Sequence, residues 1–83
     1  MNAEPKLTVL SRAWCHLCHE LIDALKPLEV ELGFSVEVID VDDDPALEAV
    51  WGEKVPVVLA GEVMLCHYFL DEAAVRAHLR RIG

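Results

Sequence analysis

Apolar residues along the chain change from strand-like to helix-like spacing within its first third. Residues 6–10 are a short run of aliphatic and β-branched side chains followed by polar ones, which predicts a first strand. Leucines and an alanine then recur at helical spacing on one face: Leu17, Leu21, Ala24, Leu25, Leu28 and Leu32. Gly33 follows at the position that ends many helices. The pattern predicts a strand and then a helix that begins near Cys15.

The middle of the chain repeats this order on a smaller scale. Residues 34–41 alternate apolar and polar side chains, which predicts a second strand. Asp44-Pro45 has the residue types of a helix N-cap and first helical position, and Trp51-Gly52 ends the short helix that they begin. The acidic residues around Asp44 lack the glycine and spacing of a calcium loop, so we expect a solvated loop and an N-cap.

The last third predicts two strands and a helix. The apolar runs 57–59 and 63–65 are separated by a turn with Gly61, which is typical of an antiparallel hairpin, and Asp71 caps a final helix. The order is therefore β-α-β-α-β-β-α. A strand–helix–strand unit implies a right-handed parallel crossover. We predict an α/β fold with a four-stranded mixed sheet, helices on both faces, and one domain over residues 1–83.

Composition and charge exclude several classes of partner. The chain has 83 residues, 54% of them hydrophobic, and a formal net charge of −8. A phosphate backbone would be repelled, so we expect no nucleic-acid partner. We also expect no membrane partner, because there is no basic stripe and no run long enough to span a bilayer. With no visible signal peptide and an odd number of cysteines, we expect a reducing compartment, the cytoplasm. We also expect the protein to be a monomer.

The strongest chemical signal is the pair Cys15 and Cys18. A Cys-x-x-Cys spacing alone serves dithiol redox chemistry, zinc binding and haem attachment. Here it falls where a strand gives way to a helix, so the first sulfur would lie over unpaired N–H groups and the positive end of the helix dipole. That position stabilises a thiolate and favours redox chemistry.

The order of elements, with Cys-x-x-Cys at the start of the first helix, resembles the thioredoxin fold. Val55-Pro56 stands directly before the third strand, where thioredoxin-like proteins place a cis-proline. Residues 11–18, Ser-Arg-Ala-Trp-Cys-His-Leu-Cys, are similar to the glutaredoxin segment Ser-Lys-Thr-Trp-Cys-Pro-Tyr-Cys, and residues 54–58 fit the family's Thr-Val-Pro stretch. Over nearly its whole length the chain resembles the small bacterial glutaredoxin-like proteins of this superfamily.

The resemblance implies a dithiol–disulfide oxidoreductase. Cys15 would attack a protein or glutathione disulfide, and Cys18 would resolve the mixed disulfide. No tightly bound cofactor and no metal are implied; glutathione or another reducing system would recycle the enzyme. The residues expected to contact or tune the substrate site are Arg12, Trp14, His16, Val55 and Pro56.

Each of these residues has a specific expected role. Arg12 stands where glutaredoxins keep a lysine and could hold the thiolate or a glutathione carboxylate. The backbone of Val55, ahead of Pro56, would pair with a bound peptide or glutathione. Trp14 flanks the substrate groove or packs over the sheet edge, and His16 either tunes the thiolate or is simply exposed.

The chain departs from the glutaredoxin pattern in two places. Residues 65–68, Leu-Cys-His-Tyr, replace the glycine pair and acidic segment that hold the γ-glutamyl end of glutathione in that family. The interior dipeptide is His16-Leu17 instead of Pro-Tyr. The dithiol chemistry is compatible with both departures, whereas the choice between protein and glutathione disulfides stays open.

Two alternatives use the same residues. Cys15, Cys18 and His19, with Cys66-His67, could form a zinc site, and the family suggests an iron–sulfur cluster bridged between two chains through Cys15. The other alternative is a non-catalytic adaptor that docks partners beside Pro56. Cys66 by itself is interpreted as a core residue, with a second redox thiol as the alternative.

Overall fold

The computed structural model describes residues 5–82. The expectation that the N-terminus contains no signal peptide concerns a segment that lies mostly outside the described residues. The observed order of elements is the predicted one, with an additional single 3-10 turn at Val41–Asp43 after the second strand. The elements are β1 (Lys6–Ser11), α1 (His16–Leu32), β2 (Ser35–Asp40), α2 (Pro45–Trp51), β3 (Val57–Ala60), β4 (Val63–His67) and α3 (Glu72–Ile82).

The four strands form one mixed sheet in the order β2-β1-β3-β4, which confirms the predicted fold class. β1 is parallel to β2 and antiparallel to β3, with Leu10 opposite Val57. β3 is antiparallel to β4, with Val57 opposite His67. Because of this register, the end of β1, the start of β3 and the end of β4 meet at one end of the sheet. The loops at that end carry the residues of interest.

The helices cover both faces of the sheet, as predicted, because neighbouring strand residues point to opposite sides. On one face, Val9 and Val58 join a buried cluster with leucines of α1 and with Val75 of α3. On the other face, Leu10 and Val57 join a second cluster, against which α2 packs. The amphipathic stripe of α1 therefore lies in the core, and its polar face stays in solvent.

The predicted caps form the helix ends. Gly33 adopts φ +71° after α1, and its N–H donates to the Glu29 carbonyl at 3.0 Å. The Asp44 carboxylate accepts N–H groups of the first turn of α2, and the Asp71 carboxylate accepts the Ala74 N–H at 3.0 Å. None of the helices within residues 5–82 is long and apolar enough to cross a membrane.

Candidate active site

Cys15 and Cys18 form a disulfide at the junction of β1 and α1, with Cα atoms 5.2 Å apart. Cys15 is the N-cap of α1, with φ −90° and ψ 108°. Its Sγ accepts the Cys18 backbone N–H at 3.1 Å, and its own N–H donates to the Arg12 carbonyl at 3.0 Å. The first sulfur therefore lies at the positive end of the helix, where the sequence pattern places it.

The two sulfurs differ in how far solvent reaches them. Cys15 is partly exposed, whereas Cys18 is 1% exposed because it lies one turn into the helix on the side that faces the core. A bulky disulfide substrate can approach Cys15 from solvent. Cys18 can be reached only through Cys15 or after a local rearrangement.

The neighbours of Cys15 in the chain project into solvent. Trp14 is 91% exposed, so of its two predicted positions the one at the sheet edge is not observed. The His16 imidazole Nε2 lies 3.2 Å from a carboxylate oxygen of Glu20, one turn along α1, and both side chains are exposed. Trp14 thus provides a large apolar surface immediately beside the disulfide.

Arg12 contacts acidic side chains on the α2 side of the sheet. Its Nε donates to Asp42 at 3.0 Å and its Nη2 donates to Glu48 at 3.1 Å. The neighbouring acids Asp40 and Asp44 accept backbone N–H groups as caps of the 3-10 turn and of α2. The acidic run is thus used for two caps and one ion pair. Its pairing with Arg12 ties the cysteine loop to α2.

Val55 and Pro56 precede β3, and the peptide bond between them is cis. Pro56 is buried, whereas Val55 is partly exposed. Since Leu10 pairs with Val57, Pro56 lies at the same end of the sheet as the loop that leads from β1 to Cys15. The fold therefore places the two predicted parts of the site at the same end of the sheet.

Tyr68 is a site residue that the sequence pattern did not reveal. It has a φ of +66°, a left-handed conformation that costs a residue with a Cβ roughly 1–2 kcal/mol. Its N–H donates to the Pro56 carbonyl and its hydroxyl to the Glu53 carbonyl, both at 2.8 Å. Its ring meets the His67 ring edge-on, with centroids 4.5 Å apart. The signal available in the sequence was the adjacent aromatic pair His67-Tyr68, which stands at the end of β4 and ahead of the α3 cap Asp71.

Two surface depressions adjoin the loop between β4 and α3. The first, about 180 Å³, lies between the start of α1 and the β4–α3 loop, and its lining is largely apolar. It is lined by Leu17, Glu20, Leu21, Ala24, Tyr68, Phe69 and Leu70. The second, about 380 Å³, lies between α2 and the segment before Pro56. It is lined by Glu48, Ala49, Val50, Glu53, Lys54 and Tyr68.

The third cysteine belongs to the core. Cys66 is buried in the cluster beneath α1 and α3, in agreement with its structural interpretation. Burial raises the pKa of its thiol, and the charge of Asp71 acts in the same direction, against a backbone hydrogen bond that lowers it. Within residues 5–82, no three histidine, cysteine or acidic side chains are grouped so that they could hold a metal ion.

Comparison with known protein families agrees with this geometry. The family described as Glutaredoxin-like domain (DUF836) matches residues 6–80, which is nearly the whole chain. The chain belongs to this family. Its order of elements and its mixed sheet are those of the thioredoxin fold, and the glutaredoxin-like assignment made from the cysteine segment is confirmed.

Three relatives illustrate the range of this similarity. Protein Ne2328 of Nitrosomonas europaea, solved by NMR, is 38% identical with a TM-score of 0.83, over 94% of each chain. The uncharacterized protein Rv0508 of Mycobacterium tuberculosis is 34% identical over 95% of this chain and 87% of its own. The glutaredoxin-like NrdH-redoxin of Escherichia coli, which has a thioredoxin-like activity profile, is 30% identical with a TM-score of 0.60, over 88% of this chain and 95% of its own.

Proposed function

We propose that this glutaredoxin-like protein is a thiol–disulfide oxidoreductase in which Cys15 attacks and Cys18 resolves. The observation that carries the proposal is the asymmetry of the pair. Cys15 is partly exposed at the helix N-terminus and accepts the Cys18 N–H, whereas Cys18 is buried. In the reduced enzyme the same N–H and the helix dipole stabilise a Cys15 thiolate, which is the attacking form of a thiol.

The reaction consists of two exchanges. The Cys15 thiolate attacks one sulfur of the substrate disulfide, so that an S–S bond forms to Cys15 and the other substrate sulfur leaves as a thiolate. Cys18 then attacks the Cys15 sulfur and gives up its proton to the departing substrate sulfur, which leaves as a thiol. The substrate disulfide gains two electrons, and the enzyme is left with the Cys15–Cys18 disulfide. A thiol reductant, glutathione or another reducing system, returns the enzyme to the dithiol.

The substrates that this chemistry admits are disulfides of proteins or of glutathione. The thioredoxin-like activity profile of the Escherichia coli NrdH-redoxin supports protein disulfides for a chain that is 30% identical to it. Substrate would bind along the exposed surface of Trp14 and the segment around Val55 and Pro56. Arg12 would reach a substrate only by leaving its two carboxylate partners.

Two measurements test the proposal. Titration of the Cys15–Cys18 pair in dithiothreitol or glutathione buffers should show one two-electron transition between roughly −180 and −270 mV. A Cys18→Ser variant should accumulate a mixed disulfide on Cys15, and the matched Cys15→Ser variant should accumulate none on Cys18, because Cys18 is buried. If both single variants trap substrate equally, the division of roles is wrong, and if no transition is found, the redox function is wrong.

A further inference from the structure

The substrate class is left open by the exchange chemistry, but the surroundings of Cys15 bear on it. Tyr68 lines both depressions at this end of the sheet and is the one residue that they share. The first depression includes Leu17, which lies between the two cysteines. The second is lined by residues of α2 and of the segment before Pro56, together with Tyr68. Tyr68 therefore lies between the apolar depression that includes Leu17 and the polar one next to α2.

Three contacts hold Tyr68 in place despite its unfavourable backbone conformation. Its N–H donates a hydrogen bond to the Pro56 carbonyl, its hydroxyl donates one to the Glu53 carbonyl, and its ring packs against that of His67. A φ of +66° suits glycine better than tyrosine. Backbone strain of this kind at a candidate site points to a function for the side chain that is held there.

The two depressions differ in the charges that they offer a small anionic substrate. The first has one charged residue, Glu20, whereas the second has Lys54 together with Glu48 and Glu53. The guanidinium of Arg12, on the cysteine loop, is paired with Asp42 and Glu48. Glutathione has two carboxylates, one ammonium group and no apolar side chain. An apolar side chain beside a substrate cysteine fits the first depression, whereas a glutathione carboxylate finds no cation there and meets Lys54 only in the second.

We propose that Tyr68 determines the substrate class of Cys15, selecting disulfides of polypeptides with an apolar residue beside the cysteine over disulfides of glutathione. The ring keeps the substrate in the apolar depression of Leu17 and Phe69 and closes the route to the polar one. The proposal rests on the redox function above, because it concerns which disulfide the same sulfur attacks.

The test compares two oxidants of the reduced enzyme. One is a short synthetic peptide containing Leu-Cys, as its disulfide dimer, and the other is oxidised glutathione. Quenched mixing and mass spectrometry give the rate constant for formation of the Cys15–Cys18 disulfide by each. The same two rate constants are measured with dithiothreitol in place of the enzyme. Dividing the enzyme's ratio by the ratio for dithiothreitol corrects for the different intrinsic reactivity of the two oxidants. The variants are Tyr68→Gly, which suits the backbone, Tyr68→Asn, which tolerates it, and Tyr68→Phe, which keeps the ring.

The wild-type protein should prefer the peptide by about tenfold after this correction, the lower end of the discrimination that one methylene group in a hydrophobic pocket produces. Tyr68→Gly and Tyr68→Asn should bring the ratio close to one, mainly through faster reaction with oxidised glutathione, and Tyr68→Phe should keep most of the preference. A wild-type ratio near one, or an unchanged ratio in whichever truncated variant folds, would overturn the proposal. If neither oxidant forms the disulfide in the wild-type protein, the redox function itself fails.

Discussion

Replacing Arg12 by glutamine distinguishes a structural role of this side chain from a role in substrate binding. The structure connects Arg12 to Asp42 and Glu48 by two charge-assisted hydrogen bonds, and all three side chains are partly exposed, at 31%, 45% and 48%. If Arg12 braces the cysteine loop, Arg12→Gln lowers the stability of the folded protein. If Arg12 holds a substrate carboxylate, the same change raises KM and leaves stability unchanged.

The expected size of the effect follows from the exposure of the pairs. A solvent-exposed ion pair contributes about 0.2–1 kcal/mol, so two pairs sharing one guanidinium contribute roughly 0.5–1.5 kcal/mol. For a small domain the dependence of unfolding free energy on urea is about 1 kcal/mol per molar. Arg12→Gln should therefore lower the urea midpoint by about 1 M, a shift that a careful titration resolves.

The assay is urea unfolding of the oxidised protein, followed by far-ultraviolet circular dichroism. The wild type, Arg12→Gln, Asp42→Asn and the double variant form a thermodynamic cycle, and Arg12→Lys keeps the charge but loses the forked geometry. A positive coupling free energy between Arg12 and Asp42 supports the brace. Zero coupling and an unchanged midpoint, together with a raised KM for a peptide disulfide, would refute it and make Arg12 a substrate contact.

Two further predictions concern groups away from the disulfide. Folding raises the pKa of the Cys66 thiol, so the free energy of unfolding should fall as pH rises through the ordinary thiol pKa, where only the unfolded state ionises. In urea titrations at several pH values, Cys66→Ala should remove this part of the fall. A hydrogen bond from Arg76 lowers the pKa of Glu31, so the stability that Glu31 contributes is present above the ordinary carboxyl pKa and is lost as pH falls. Arg76→Gln should therefore make the free energy of unfolding less dependent on pH in the acid range, whereas Arg80→Gln on the same helix should not.

The fold and the reacting pair could be predicted because their signals are local. Alternating apolar residues give strands, a leucine stripe gives α1, and Asp44-Pro45 gives the start of α2, all within a few residues along the chain. The Cys-x-x-Cys spacing has meaning once a strand precedes it and a helix follows it. Each of these features depends on neighbours in sequence, so no knowledge of the tertiary structure is required.

The contacts around the pair could not be predicted because they join distant residues. Arg12 contacts Asp42 and Glu48, which are 30 and 36 positions away, and the chain contains 15 acidic residues among which the sequence does not discriminate. Tyr68 has a backbone conformation that its residue type disfavours, and its hydroxyl meets Glu53, 15 positions away. Such pairings follow from the order of strands in the sheet and from loop conformation.

These two long-range contacts have a common consequence for the reaction. In the sheet order β2-β1-β3-β4, the partners of Arg12 follow β2 and Tyr68 follows β4, so the two sets of contacts lie on opposite sides of the strand that leads to Cys15. The Cys15 sulfur itself depends on neither set, because the first turn of α1 supplies its N–H donor. Changes at Arg12 should therefore alter stability and changes at Tyr68 the choice of disulfide, while exchange at Cys15 persists as long as α1 begins at the same residue.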